Sequence, residues 1–197
     1  EAEINLIRAT AEKTQAPTRI ILTPIISDFL SRGKSPEQAL EEIERWREDN
    51  SRRVMLDHHF KLMLDGAIFS GLSQMGPPGY IDGHEGQWMA PLEVTQKWAS
   101  FFWKKGYKLH AHTNGDKSTK AFLNILRTLQ NEHPRMDHRF TLEHFAYSTE
   151  DQSRQLKALG AVVSANPYYH YILSDIYSEK WLGPDRGEQM VRLGSLV

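Results

Sequence analysis

Short apolar runs alternate along the chain with segments of helical periodicity, and this pattern predicts a series of β/α units. The apolar runs are rich in β-branched residues and are bounded by proline, glycine or polar residues, as buried strands are. They occupy five stretches, residues 18–24, 60–65, 107–112, 139–144 and 161–165. Strands and helices that alternate with short connections favour parallel strands joined by right-handed crossovers.

Local signals predict where several helices begin and where the chain forms a loop. Ser35 precedes a proline and lies three residues before Gln38, the arrangement of a capping box. Ser148 has an analogous relation to Asp151 and predicts a second helix start. Residues 66–91 are rich in glycine and proline and have no sustained period, which indicates a long loop after the second strand.

The fold expected from this order is α/β, a partial (β/α)8 TIM barrel with about five parallel β/α units. No glycine-rich dinucleotide or phosphate motif follows any predicted strand, so an open nucleotide-binding sheet loses support. A complete barrel takes roughly 250 residues, whereas this chain has 197. We therefore expect residues 1–197 to be the central part of a barrel catalytic domain, truncated at both ends and without the first and last strands.

Composition narrows the classes of partner and ligand. The formal net charge of -1 provides no basic surface for nucleic acid. No apolar run approaches the roughly 18 residues of a membrane-spanning helix, so no membrane association is expected. The chain has no cysteine, and any metal would be held by nitrogen and oxygen ligands. A cytoplasmic location is the expectation, and a periplasmic one stays open because the absence of cysteine fits both compartments.

Candidate ligands cluster at the predicted strand ends. Active-site residues of parallel barrels lie at the carboxyl ends of the strands, and His112 and His144 each end a predicted strand. His110 shares a strand face with His112 because side chains alternate between faces. In the preceding strand, Lys61 shares the more polar face with Asp65.

Three sequence blocks around these residues resemble the amidohydrolase superfamily. They are FKLMLDG (60–66), HAHTNGD (110–116) and RFTLEH (139–144), and their order and separation resemble the branch of N-substituted formamide deformylases and related metal-dependent hydrolases. The resemblance implies that Lys61 is a carboxylated lysine bridging two metal ions and that His112 and His144 are metal ligands. It also implies a divalent metal, zinc by preference, with one or two ions per complete site.

The chemistry implied by this resemblance is hydrolysis of a carbon-nitrogen bond. Metal-bound hydroxide is a nucleophile near neutral pH, and the metal polarises the carbonyl under attack. The substrate class would be a small-molecule amide, N-formyl compound or cyclic amide, as opposed to a peptide.

The sequence also departs from the family pattern. The family's His-x-His pair on the first strand and its aspartate general base on the last strand cannot be placed in this chain. His58 and His59 are adjacent instead of spaced by one residue, and they precede the Lys61 strand. We therefore expect that activity belongs to a complete parent protein and that this chain alone is inactive.

Four further residues are candidates for supporting the site or contacting substrate: His110, Asp116, Glu143 and His84. Asp116 has an equally good interpretation as a cap of the following helix. Glu143 should face away from His144 by strand parity, so it is expected to support the site and not to bind metal. His84, in the long loop, would either line a pocket or pack the loop onto the rim.

Two alternatives remain open at this stage. Another barrel enzyme, a lyase or aldolase, would use Lys61 as a Schiff-base amine. Alternatively, an incomplete barrel with unpaired strand edges would assemble as a homo-oligomer without activity.

Overall fold

The computed structural model describes residues 2–15 and 17–196, and Glu1, Ala16 and Val197 lie outside the described residues. The strands are β1 (Ile20–Leu22), β2 (Val54–Leu56), β3 (His59–Met63), β4 (Lys108–Thr113), β5 (Thr141–His144) and β6 (Val162–Ala165). The helices are α1 (Ala2–Lys13), α2 (Ile26–Ser31), α3 (Pro36–Glu48), α4 (Leu92–Lys104), α5 (Asp116–Glu132), α6 (Glu150–Ala158), α7 (Tyr168–Ile176) and α8 (Pro184–Gly187). A π-helical segment, Tyr177–Trp181, follows α7.

All strand pairs are parallel, as the alternation predicted. β3, β4, β5 and β6 are neighbours in chain order, and β1 pairs with β2. An isolated parallel bridge between Ile25 and Lys61 joins the two groups, and the Lys61 backbone N–H donates to the Pro24 carbonyl at 2.8 Å. Only residues 57 and 58 separate β2 from β3, so these two strands run beside the β1 segment as one interrupted strand. If β2 and β3 are counted as one interrupted strand, the six observed strands occupy five neighbouring parallel positions, and each of these contains one of the five predicted strands.

The closed barrel stays a prediction. Within the described residues, β6 pairs with β5 alone, and the parallel sheet is open at that edge. The expected assignment of residues 1–197 to the central part of a barrel domain is likewise untested by this geometry. The α/β class and the parallel strands are confirmed.

The main core fills the space between the sheet and the helices α2 to α6. Phe60 of β3 is fully buried and stacks on Phe102 of α4, with ring centroids 3.8 Å apart. Trp98 and Phe29 extend this aromatic layer. Helical periodicity and strand alternation both direct apolar residues to this side of the sheet. Burying one large aromatic side chain here contributes about 1.5–3 kcal/mol to the stability of the fold.

A second hydrophobic cluster, here called the rim cluster, lies among the loops that follow the strands. Its buried members are Ile68, Met75, Tyr80, Ala146, Tyr147, Tyr169, Leu173, Tyr177, Leu182, Met190 and Val191. Tyrosine hydroxyls within it bind backbone carbonyls: Tyr177 donates to Ile68 at 2.6 Å and Tyr80 donates to Ser73 at 2.9 Å. The loop 66–91 and the chain after β6 are therefore packed together.

Predicted helix starts agree with the structure at one position and differ by one residue at another. Ser35 caps α3 in a complete capping box with Gln38. The cap of α6 is Thr149 with Gln152, and the predicted pair of Ser148 and Asp151 was wrong by one position. The sequence contains two candidate capping pairs that are one residue apart, Ser148 with Asp151 and Thr149 with Gln152. The second pair forms the capping box of α6.

Candidate functional site

Polar side chains occupy the face of the sheet opposite the main core. Strand alternation places His59 and Lys61 of β3, His110 and His112 of β4, and Glu143 of β5 on this face, while Phe60, Leu62, Leu109 and Ala111 face the helices. The strand register brings Lys61 beside His110 and His112 beside Glu143. In the interior of a parallel barrel this face would carry the polar residues of the site.

Lys61, Glu143, His110 and His59 form a continuous row of polar contacts. Lys61 Nζ makes an ion pair with Glu143 Oε2. Glu143 Oε1 lies 2.9 Å from His110 Nδ1, and His110 Nε2 lies 2.7 Å from His59 Nδ1. Burial opposes ionisation of Glu143, but hydrogen bonds from His110 and Lys61 outweigh burial and lower its pKa to about 2. Glu143 is therefore an ionised carboxylate that fixes the Lys61 side chain.

His112 and His144 meet at the carboxyl ends of their strands. Their ring centroids are 4.4 Å apart with an interplanar angle of 64°. Burial and the neighbouring His144 lower the pKa of His112 to about 4. Burial and the charge of Lys61 also lower the pKa of His144. Both imidazoles are consequently neutral near pH 7, which is the form that binds metal.

A turned backbone explains why consecutive residues of β5 both reach the site. Strand alternation alone would direct Glu143 and His144 to opposite faces. The backbone of His144 has a φ of 80°, in the left-handed region, so the regular strand conformation ends there. Glu143 faces Lys61 while His144 turns back towards His112. A non-glycine residue with this conformation often occurs at functional sites.

Two of the candidate supporting residues, Asp116 and His84, contact residues of the long loop 66–91. Asp116 Oδ1 accepts the N–H of Gly76 at 2.7 Å and thereby attaches the loop to the start of α5. His84 stacks on Tyr80 with ring centroids 3.9 Å apart and reaches the Gly71 carbonyl with Nε2 at 2.8 Å. The contacts of His110 and Glu143, by comparison, lie beside Lys61.

Sequence reasoning missed several residues that surround the imidazoles. Tyr169 Oη lies 3.3 Å from His144 Nδ1, and Asn114 Nδ2 lies 2.8 Å from His112 Nε2. Asp65, expected on the polar strand face, lies beyond the end of β3 and is fully buried. Asp65 could have been singled out because it is an acidic residue at the end of an apolar strand. His59 could have been singled out because it is two residues from Lys61 and therefore lies on the same strand face. No sequence signal separates Tyr169 from its neighbouring tyrosines.

The donor atoms fit part of a metal site. Two neutral imidazoles in contact, beside a lysine, are donors that suit zinc and related divalent ions. Among residues 2–15 and 17–196, no group of three or more histidine, aspartate and glutamate side chains is placed to hold an ion. The metal-ligand roles of Lys61, His112 and His144 stay predictions.

The fold and the site define a parallel α/β protein with two imidazoles in contact at the strand ends and a lysine-carboxylate pair on the same face of the sheet. A model of the amidohydrolase family matches residues 1–197, and the chain belongs to this family. The predicted family resemblance is confirmed at this level, whereas the formamide deformylase branch stays a prediction. No curated protein matches the sequence significantly. In the described part of the chain, no helix is long and apolar enough to cross a membrane.

Two solved structures share the fold of the whole chain. An uncharacterized metal-dependent hydrolase from Pyrococcus furiosus matches with a TM-score of 0.74 and 17% identity, over 100% of this chain and 38% of that one. An uncharacterized metal-dependent hydrolase from Pyrococcus horikoshii OT3 matches with a TM-score of 0.74 and 18% identity, over 100% of this chain and 37% of that one. The chain thus spans less than two fifths of the length of these structures.

Proposed function

We propose that the protein contributes the central ligands of a metal-dependent hydrolase that cleaves carbon-nitrogen bonds of small amides, N-formyl compounds or cyclic amides. The observation that carries the proposal is the contact of two neutral imidazoles, His112 and His144, beside Lys61. Membership of the amidohydrolase family supports hydrolysis as the reaction class. The names of the two Pyrococcus structures support a divalent metal, with zinc as the preferred ion.

In this mechanism, the residues of the chain hold and orient the reacting groups. When bound, the metal supplies a hydroxide near neutral pH and polarises the substrate carbonyl. His112 and His144 would hold the ion through unprotonated ring nitrogens, and the Tyr169 hydroxyl contacts the His144 ring at Nδ1. The general base is not assigned to any residue of this chain.

Lys61 has a separate role as the source of a bridging carbamate. The neutral amine adds to carbon dioxide, a nitrogen-carbon bond forms and one proton is released, which leaves an anion with two oxygen ligands. The Lys61 amino group is now paired with the Glu143 carboxylate. Carbamate formation therefore requires that Lys61 lose its proton and that Glu143 retain only its contact with His110.

Metal content is the test of this function. After reconstitution with zinc and bicarbonate, we expect the wild type to bind more zinc per protein than Lys61→Ala, because the variant cannot form the carbamate. Lys108→Ala is the matched control, because Lys108 lies on the neighbouring strand and contacts Asp57 at 3.7 Å, away from the two imidazoles. Mass spectrometry of the intact protein should detect one added carbon dioxide in the wild type and none in Lys61→Ala. Equal metal content in all three proteins would remove Lys61 from the site.

The rival functions predict different outcomes of two further measurements. Borohydride reduction with a carbonyl substrate would label Lys61 in a Schiff-base enzyme and leave it unlabelled in a hydrolase. Light scattering would reveal a homo-oligomer if the open edge beside β6 pairs with a second copy. We expect no Schiff-base label, and the oligomeric state stays a separate prediction.

A further inference from the structure

Asp65 is a fully buried carboxylate whose two oxygens accept four hydrogen bonds. Oδ2 accepts from the backbone N–H of Gln74 at 3.0 Å, the backbone N–H of Gly115 at 2.9 Å and the hydroxyl of Ser118 at 2.8 Å. Oδ1 accepts the backbone N–H of Asn114 at 2.9 Å. Asp65 itself is 0% exposed. Burying a carboxylate costs free energy unless it is hydrogen-bonded, so these donors are needed to hold it there.

These four bonds join three separate segments beside the imidazoles. Asp65 follows β3, which carries Lys61, and Gln74 belongs to the long loop. Asn114 and Gly115 connect β4 to the start of α5, whose N-terminal N–H groups favour a negative charge. The approach is close, since a Cβ atom at Gly115 would lie 2.0 Å from the Gln74 carbonyl oxygen. The carboxylate therefore fixes the start of α5 relative to the end of β3.

Asn114 continues this connection to His112. Its Nδ2 donates to the Gly66 carbonyl at 3.0 Å and lies 2.8 Å from His112 Nε2. A carbonyl oxygen can only accept, so the contact with Gly66 determines which end of the Asn114 amide points there. In the described part of the chain, Asn114 Oδ1 is buried and has no hydrogen-bond partner. The Nδ2 amide of Asn114 thus sets the orientation of this side chain, because it donates to the Gly66 carbonyl and is also directed at His112 Nε2.

We propose that Asp65 is a positioning residue for His112, acting through Asn114. Asp65 holds the Asn114 backbone, and the Asn114 side chain holds the imidazole ring at the end of β4. The inference rests on the proposed function in one respect, that His112 is a metal ligand. The Asn114 amide nitrogen can only donate, so its contact with His112 Nε2 fixes both the direction of the ring and the nitrogen that stays unprotonated in the metal-free protein.

The alternative is that Asp65 only stabilises the loop and has no influence on His112. Ser118→Ala is a matched control for this alternative. Ser118 donates to the same oxygen of Asp65 and belongs to α5, but its recorded hydrogen bonds are with Asp65 and Gly115. Loss of this hydroxyl should lower stability without altering the imidazole.

The experiment compares the imidazole nitrogen resonances of His112 in metal-free, 15N-labelled wild type, Asp65→Asn and Ser118→Ala. We expect Asp65→Asn to shift the His112 resonances, because the Asn114 amide then no longer holds the ring. Ser118→Ala should leave the His112 resonances unchanged even though it lowers the melting temperature. Unshifted His112 resonances in a folded Asp65→Asn would overturn the proposal.

A second variant keeps the test valid if Asp65→Asn does not fold. Asn114→Ala retains the backbone N–H that Asp65 binds and removes only the amide that contacts His112. Shifted His112 resonances in Asn114→Ala would support the connection, and unshifted ones would contradict it. If the wild type binds no zinc, the proposed function fails, whereas the resonance comparison still decides the positioning role of Asp65.

Discussion

The main core and the rim cluster bury side chains of different chemistry. The main core consists of phenylalanine, leucine, isoleucine, alanine and tryptophan between the sheet and the helices, with a single tyrosine, Tyr107. The rim cluster contains four tyrosines among eleven buried residues, and two of their hydroxyls bind backbone carbonyls. The first region is held by close packing of apolar side chains, whereas the second depends in addition on hydrogen bonds of defined geometry.

This difference bears on the site because the imidazoles lie between the two regions. His112 is carried by a strand whose other face contacts the main core, so the position of its backbone follows from packing. Its side chain, and that of His144, contact Asn114 and Tyr169 on the rim side. Packing against the main core therefore fixes the backbone of His112, and contacts with Asn114 and Tyr169 orient the two imidazole rings.

The largest expected effect is on the main core, where Phe60→Ala removes a fully buried ring that stacks on Phe102. We expect the free energy of unfolding to fall by about 3–5 kcal/mol, because the lost contacts leave a cavity. Urea denaturation followed by far-UV circular dichroism measures this loss. Phe69→Ala is the control, since Phe69 is 54% exposed and should cost far less. Equal losses for both variants would mean that the aromatic layer does not dominate the core.

Asp65, at the junction of the two regions, should make stability depend on pH. Burial raises its pKa from 3.8 to about 6, against the opposing effect of its hydrogen bonds. Since the folded protein then binds a proton that the unfolded chain has lost, the contribution of Asp65 is complete below pH 3.8 and declines as pH rises through about 6. A shift of this size corresponds to about 3 kcal/mol.

The measurement for Asp65 is the difference in unfolding free energy between wild type and Asp65→Asn across this pH range. The groups that titrate in both proteins cancel in the difference. We expect the advantage of the wild type to shrink between about pH 4 and 6. An advantage that grows with pH would mean that the four donors outweigh burial and that the pKa is lowered.

A smaller effect is expected in the rim cluster for Tyr177→Phe. The Tyr177 hydroxyl is buried and donates to the Ile68 carbonyl at 2.6 Å, so its removal leaves that acceptor without this donor. We expect the free energy of unfolding to fall by about 1–3 kcal/mol. We also expect limited proteolysis to cleave the 66–91 loop of the variant faster than its helices. Tyr171→Phe is the control, because Tyr171 is 83% exposed. This variant should change neither the free energy of unfolding nor the rate of proteolysis in the loop. Uniform proteolysis along the chain would argue that the rim cluster does not open separately.

Local sequence patterns predicted most of the strands that border the main core. The strands and the capping box at Ser35 were read from local patterns, and their parallel arrangement followed from their order. The sequence did not reveal β2, because Val54–Leu56 is too short to display an alternation. It also did not reveal α7 and α8, which pack among loops where apolar residues follow no single period.

For the candidate site, the sequence determined that His112 and His144 stand at strand ends and that Lys61 lies on the polar face of its strand, because alternation and order along the chain are local properties. The tertiary structure decided the contacts among them. The turn at His144 overrides strand parity, and the pairing of Lys61 with Glu143 joins residues 82 positions apart. Asp65 and Asn114 acquire their position only when the loop, β3 and α5 come together. Hydrogen bonds between distant segments leave no periodic trace in the sequence, and for that physical reason only the folded chain identifies them.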